Sequence, residues 1–227
     1  MRWLLPAKHP ERIVDASAAI YVITSEDIRR SGVTTLPDAL RLAPGVIVNQ
    51  SDSSRWAVGV RGFADIFSKN VLVMIDGRSA YTPLVGGVHW AIQDVLLADV
   101  DRIEVIRGPG GSIWGANSVN GVINVITKTA ADTAGLRVTA ASGSVEHGRA
   151  SVRFGGSGGR TFDYRVYGKA FTRGAQFHRD AANFDECCAT PSTSISTPVL
   201  HLLAGMRLRS ERARASAQAA SRRWYRR

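Results

Sequence analysis

The sequence predicts an α+β domain, a small mixed sheet with short helices laid against it, followed by a few antiparallel β-strands. Three observations carry this. Short β-type runs alternate with short capped helical stretches from Ala16 to Thr129. One of the runs, Val71-Leu72-Val73-Met74-Ile75, is apolar on both faces and belongs in the middle of a covered sheet. From Ala134 to Arg173 the pattern changes to alternation of apolar and polar residues, the period of a strand with one buried face.

The elements follow in order. Ile20-Tyr21-Val22-Ile23 is a β-type run. Thr24-Ser25-Glu26-Asp27 supplies an N-cap and first-turn acids, which suit the positive end of a helix. That helix runs through Ile28 to Ser31, and Gly32 ends it in the left-handed conformation open to a residue without Cβ. Thr35 caps a second helix with Pro37 and Asp38 in its first turn. Leu36, Leu40 and Ala43 share one face of it, and Pro44-Gly45 stops it. Strand-like runs follow at Val46–Val48, Trp56–Val60 and Val71–Ile75, and Asp76-Gly77 turns the chain out of the last. A short helix around Ile92 to Leu97, then Ile103–Ile106 and Val122–Ile126, complete a domain of ordinary size.

If Val46–Val48 runs up, Trp56–Val60 down and Val71–Ile75 up again, the loops 49–55 and 78–90 share one end and 63–70 lies at the other. Two long loops at one end often build a binding surface. Further along, Ala150, Val152 and Phe154 alternate with Arg149, Ser151 and Arg153, and 155–159 reads as a glycine turn. Phe162, Tyr164 and Val166 then alternate with Asp163, Arg165, Tyr167 and Lys169. Segments of about ten residues with this period fit a transmembrane β-barrel. A soluble antiparallel sheet gives the same alternation.

Composition narrows the function classes. The chain has 227 residues and a formal charge of +10. Eight arginines from Arg207 to Arg227, against Glu186 and Glu211, place +6 of that charge after residue 185. The charge is therefore mostly a property of the tail, and it lacks the aromatic-interleaved platform of a nucleic-acid binder. No nucleic-acid partner is expected. The two cysteines, Cys187 and Cys188, are adjacent and lack the spacing of a metal site, so neither a metal nor a cofactor is expected. No apolar run approaches the roughly 18–20 residues of a spanning helix. Asp76 and His89 come with no nucleophile elbow, metal pair or phosphate loop, so an enzyme is not expected. Gly108-Pro109-Gly110-Gly111 is glycine-dense like a phosphate cradle but lacks its Lys-Ser/Thr ending. The start, Met1 to Lys8, has too short an apolar run for a secretory leader.

Seven motifs occur in one order: Val22-Ile23-Thr24-Ser25-Glu26-Asp27-Ile28, Leu36-Pro37-Asp38-Ala39-Leu40, Pro44-Gly45-Val46, Val60-Arg61-Gly62-Phe63, Val73-Met74-Ile75-Asp76-Gly77, Ile103-Glu104-Val105-Ile106-Arg107-Gly108-Pro109 and Asn120-Gly121-Val122-Ile123-Asn124-Val125-Ile126-Thr127. In order and spacing this resembles the plug domain of TonB-dependent outer-membrane receptors. The division it implies is an unassigned segment 1–15, a plug 16–130, first barrel strands 131–185 and a basic tail 186–227. The fold implied is an α+β plug followed by strands of an incomplete outer-membrane β-barrel.

What such a resemblance implies is transport without bond chemistry. Family members take up scarce bulky ligands, most often iron–siderophore complexes, also haem and cobalamin, through a barrel of roughly 22 strands with the plug in its lumen. Ligand meets plug apex loops, and the TonB complex pulls on an N-terminal box. The expected location is the outer membrane of a Gram-negative cell, with lipid and the TonB complex as partners. Carried onto this sequence, the apex loops are 51–56 and 81–90, with Arg55, Trp56, Tyr81, His89 and Trp90 as ligand contacts. Arg pairs with an anionic chelate and aromatics stack on flat ligands. The ordinary alternative for each aromatic is packing. Arg61 and Arg107, each beside a glycine, are expected to bridge plug to barrel carboxylates. Asn120 and Asn124 are expected to satisfy loop backbone groups or to do ordinary turn chemistry.

The departures are as informative. No Thr-Val-x-Val-like TonB box precedes Ala16, and three barrel strands cannot close, so the chain is expected to be a non-transporting fragment. After Asp185 a barrel strand should follow, but Cys-Cys and Ser, Thr, Arg and Ala take its place. A shift of reading frame near codon 186 would account for that. The alternative to an uptake receptor is a soluble periplasmic plug-like domain that binds ligand or signals without transporting.

Overall fold

The computed structural model describes residues 3–4, 10–11, 19–84, 86–93, 95–108, 114–115, 117–144, 146–157, 162–174 and 207–208. Most of the unassigned segment 1–15, the two cysteines and most of the tail lie outside them. The chain divides between Thr127 and Lys128 into two compact units.

In the first unit, β1 (Ala19–Thr24) leads into α1 (Ser25–Ser31). The Thr24 hydroxyl accepts from the Asp27 amide at 3.2 Å, and Asp27 Oδ2 accepts from the Thr24 amide at 3.0 Å, a reciprocal capping box. Gly32 closes α1 at φ 68°. Hydrogen bonds from Arg29 and Arg30 push the exposed Glu26 carboxyl down to about 2. The Thr24 hydroxyl and amide lower Asp27 in the same way. Helix α2 (Leu36–Leu40) starts at the expected Thr35 cap but is shorter than the apolar face suggests. Its end tightens into i→i+3 bonds, Leu42 N to Ala39 O and Ala43 N to Leu40 O.

Besides the short pair Trp3–Leu4 with Pro10–Glu11, the remaining strands of this unit are β2 (Val46–Gln50), β3 (Trp56–Val60), β4 (Val71–Ile75), β5 (Arg78–Ser79), β6 (Tyr81–Thr82), β7 (Gly87–Val88), β8 (Val100–Arg107) and β9 (Gly121–Thr127). Five of them form one mixed sheet in the order β1-β8-β9-β4-β5. Its β9–β4 pair is parallel and the others antiparallel. The expected mixed sheet with short helices is what the chain builds. The helix expected around Ile92 to Leu97 is instead two 3₁₀ turns, Trp90–Ile92 and Leu97–Asp99.

One face of the sheet, with Ile23, Val73, Ile103, Val105, Ile123 and Val125, packs with Ile28, Leu36 and Leu40 from the helices and with Val58 and Val60 from β3. The other face carries Glu104, fully buried on β8 opposite Asn124 of β9. A buried carboxylate is tolerated only when paired. Here Arg102 Nε donates to it at 2.9 Å and Asn124 Nδ2 at 3.1 Å. Asn124 thus serves a carboxylate and not a loop. Asn120 ties loops by its backbone, its amide to Asn70 O and its carbonyl to the Gly108 amide.

The second unit is an antiparallel meander of β10 (Gly135–Ala141), β11 (Glu146–Ser157) and β12 (Phe162–Arg173). The two-residue strand Arg207–Leu208 pairs with Phe162–Asp163. Strand β11 runs through Gly155 and Gly156, where the glycines suggest a turn. Register pairs Leu136 with Phe154, Val138 with Val152, and Phe154 with Val166. The apolar face is the outward one: Leu136, Val138, Val152 and Phe154 are 68%, 63%, 48% and 50% exposed. The polar face holds the buried residues Ser151, Arg153, Asp163 and Tyr167. A soluble sheet has these two faces the other way round.

Candidate functional site

The segment 51–55 joins β2 to β3 in a hairpin whose shape comes from one aspartate. Asp52 Oδ1 accepts from the Ser54 amide at 2.8 Å, the Ser54 hydroxyl at 3.1 Å and the Arg55 amide at 2.8 Å. This is an Asx turn, and the Ser51 amide closes the loop by donating to Arg55 O at 3.1 Å. Arg55 is exposed, with Nε 3.5 Å from Asp52 Oδ2. Trp56, one residue on, belongs to the core and is 4% exposed.

The segment 78–90 does not continue away from β4. It doubles back along it: β5 pairs antiparallel with β4, and the Ala80 amide reaches Val73 O at 2.9 Å. Strands β6 and β7 then form a small hairpin that pairs Tyr81 with Val88 and Thr82 with Gly87. The Val88 amide donates to Phe67 O at 2.7 Å. Gly87 is required there, because a Cβ would collide with the same carbonyl. The segment 63–70 also folds back, with Asp65 bridged to Val58 of β3. Simple up-and-down alternation puts 63–70 and 78–90 at opposite ends. The structure brings 67–68 and 87–90 together, because each connection returns along the strand it leaves.

Within that segment Tyr81 and His89 are half-buried, and Leu84 is almost fully exposed. Trp90 is 3% exposed, and its indole Nε1 donates to Ser68 Oγ at 2.9 Å. As direct ligand contacts, Trp56 and Trp90 are therefore displaced: both indoles fill the interior, the ordinary fate of an aromatic beside apolar strands. Arg55, Tyr81 and His89 keep accessible surface. Ser68, which no sequence motif singles out, is buried at φ 47° and joins these segments.

Arg61, just after β3, and Arg107, the last residue of β8, come to one place. The Arg61 amide donates to Gly45 O at 3.0 Å, and Arg107 Nη1 donates to Pro44 O at 3.2 Å. Arg61 is exposed at φ 59°, and Arg107 is half-buried at the end of β8. Among the described residues no acceptor meets the buried Arg107 Nε. The site thus offers exposed or half-exposed cationic and aromatic groups on a fixed frame, which suits binding. Among the described residues no group of three His, Cys, Asp or Glu stands together as metal ligands would.

Known proteins resemble this chain. Residues 12–122 match the family model described as the TonB-dependent receptor plug domain. Over 140 residues the chain is 34% identical to the vitamin B12 transporter BtuB of Vibrio cholerae serotype O1, a match covering 61% of this chain and 22% of that protein. A mutant of the ferric enterobactin receptor PfeA from Pseudomonas aeruginosa, solved in complex with enterobactin, superposes with a TM-score of 0.53 at 28% identity, over 68% of this chain and 25% of that one. The siderophore receptor PirA from the same species gives 0.50 at 29%, over 68% and 28%. The chain spans about a quarter of the length of the relatives it matches.

Proposed function

We propose that this chain, a TonB-dependent receptor chain by the plug domain it carries at residues 12–122, is the gating and ligand-facing part of an outer-membrane uptake receptor. The ligand class is a scarce metal chelate: an iron–siderophore complex first, with cobalamin or haem as the other members of the class. Transport proceeds by displacement of the plug through the TonB complex and involves no bond chemistry.

The observation that carries this reading is the inverted meander. Strands β11 and β12 are 12 residues long, enough to cross a hydrocarbon layer that takes about 9–11 tilted residues. Their apolar residues face out and their polar residues face in, as in a barrel wall around a filled lumen. The soluble periplasmic alternative would leave Leu136, Val138, Val152 and Phe154 in water, at a cost of about 25 cal/mol per Å² of apolar surface. Lipid is the partner that suits that face.

The plug side supplies the ligand contacts. Arg55, Tyr81 and His89 have the accessible surface to meet an anionic, aromatic chelate, and Trp56 and Trp90 hold the segments that present them. Arg61 and Arg107 take the wall-facing role. The spare Arg107 Nε–H is a buried donor that a wall carboxylate would satisfy through a bidentate bond.

The test is binding by the full 227-residue chain in lipid vesicles, read by tryptophan quenching with ferric enterobactin, cyanocobalamin and haemin. Saturable binding of one of the three, weakened several-fold by Arg55→Ala, is expected. Binding of none of them would remove the uptake reading.

A further inference from the structure

The buried hydroxyl of Ser68 ties strand β3, which follows one candidate ligand segment, to Trp90 at the end of the other. It donates to Val58 O of β3 at 2.8 Å and accepts the Trp90 indole N–H at 2.9 Å. Strand β3 begins directly after Arg55, and Trp90 directly follows His89. The neighbouring Phe67 carbonyl takes the Val88 amide. His89 is therefore pinned on both sides, by Val88 to Phe67 and by Trp90 to Ser68. The Ser68 backbone sits at φ 47°, a region that a residue with a Cβ adopts at some cost. Glycine would take that backbone more easily. A serine there makes sense if the hydroxyl is needed.

We infer that Ser68 is a positioning residue for ligand recognition: its hydroxyl sets the placement of His89 and Tyr81 relative to Arg55. This rests on the proposed ligand-facing role of those three residues. Ser68 itself is 2% exposed and does not meet the ligand. It acts through Trp90 and Val58, so the spacing of the contact groups depends on two hydrogen bonds that span 10 and 22 residues of sequence.

The experiment compares Ser68→Ala, Ser68→Gly and Ser68→Cys in the full chain in vesicles. Hydrogen exchange is read at the Val88 amide and the Trp90 indole, and affinity is read with ferric enterobactin and cyanocobalamin. Ala and Gly both remove the hydroxyl, and Gly also relieves the backbone. Both are expected to speed exchange at Val88 and Trp90 about tenfold, with β1, β8 and β9 amides unchanged. Both should also weaken the bound probe about tenfold, the equivalent of one buried hydrogen bond. Cys, a weak donor, falls between. Trp90→Phe should add little on top of Ser68→Ala, because both cut the same bond. If Gly behaves as wild type in exchange and affinity, the hydroxyl is not used and the inference falls. If exchange at Val88 and Trp90 rises while affinity holds, Ser68 anchors the segment without serving recognition, and the inference falls while the uptake reading stands. If the wild-type chain binds neither of these probes nor haemin, the uptake reading itself falls and takes the ligand role of Ser68 with it.

Discussion

The two sheets obey one alternation rule but bury different sides of it: the first buries both of its faces, the second only its polar one. In the first unit, β8 turns Ile103 and Val105 toward the helices, and on its other face it carries Ile106, in a second apolar cluster with Leu72, Met74 and Val122, and one buried acid, Glu104, closed off by Arg102 and Asn124. In the second, β11 turns Val152 and Phe154 outward and buries Ser151 and Arg153. Period two fixes which residues share a face. It does not say which face is the inside. What decides that in the first unit is supply: α1 and α2 bring Ile28, Leu36 and Leu40 to cover one side of the sheet. Among the described residues of the second unit the helical structure is one 3₁₀ turn, Ala131–Thr133, and strands β11 and β12 are about twice the ordinary length of five to six residues.

The largest effect is expected at the buried acid. Glu104→Ala removes the acceptor for Arg102 Nε and Asn124 Nδ2 on a fully buried face. The expected loss is about 3–5 kcal/mol of unfolding free energy, the cost of breaking a buried charged pair from one side. A Glu104→Leu, Asn124→Leu double variant should recover part of it, because it removes the acid and its amide partner together while Arg102 keeps Asp101 at 2.7 Å. Urea unfolding of both variants reads this. A Glu104→Ala chain as stable as wild type would mean that the acid is not held as a buried pair.

The second test addresses the other sheet. Val152→Arg puts a charge on the outward face of β11. If that face meets lipid near the bilayer centre, the expected cost is about 2–4 kcal/mol in vesicles of dilauroylphosphatidylcholine. If it meets water, the change stays within about 0.5 kcal/mol, as surface substitutions usually do. Arg153, one residue on, already faces the buried side, so position and not residue type decides the outcome.

Local features of this fold are legible in the sequence, and long-range ones are not. The Thr24 cap, the Gly32 stop, the Thr35 cap and the fully apolar β4 are each written within a few residues, and each forms where its own side chains dictate. The direction of 78–90 is also written locally, in Asp76 (φ 50°) and Gly77 (φ 81°), the two-residue turn that folds β5 back onto β4, but plain up-and-down alternation of strands passes over that hairpin signal. Composition likewise names Trp56 and Trp90 as candidate contacts but is silent on which way an indole points. Arg61 and Arg107 are legible as motif positions, while their meeting at Pro44-Gly45 joins residues up to 63 apart. Ser68 carries no local signal: its partners are Val58 and Trp90, and only the folded chain brings them to one hydroxyl.

The smallest expected effect belongs to the exposed cap of α1, and it marks the contrast with Glu104 most directly. Glu26 is also an acid with arginine partners, at 2.7 Å from Arg29 and 2.6 Å from Arg30, but in solvent. Its folded carboxyl is held at about 2, below its usual 4.5. A depressed carboxyl contributes stability that is present above its unfolded value and lost as pH falls through the folded one. The contribution should therefore fade between about pH 4.5 and 2, with Asp27, lowered by Thr24, adding to it. Solvent screening keeps exposed pairs weak, and added salt should weaken this one further. Hydrogen exchange of the α1 amides from pH 5 to pH 2.5 should show a shallow loss of protection in wild type and a flatter profile in Glu26→Gln, with the β8 and β9 amides alike in both. If Glu26→Gln instead destabilised β8 and β9, the exposed pair would be acting on the sheet, and burial would not be what separates the two acids.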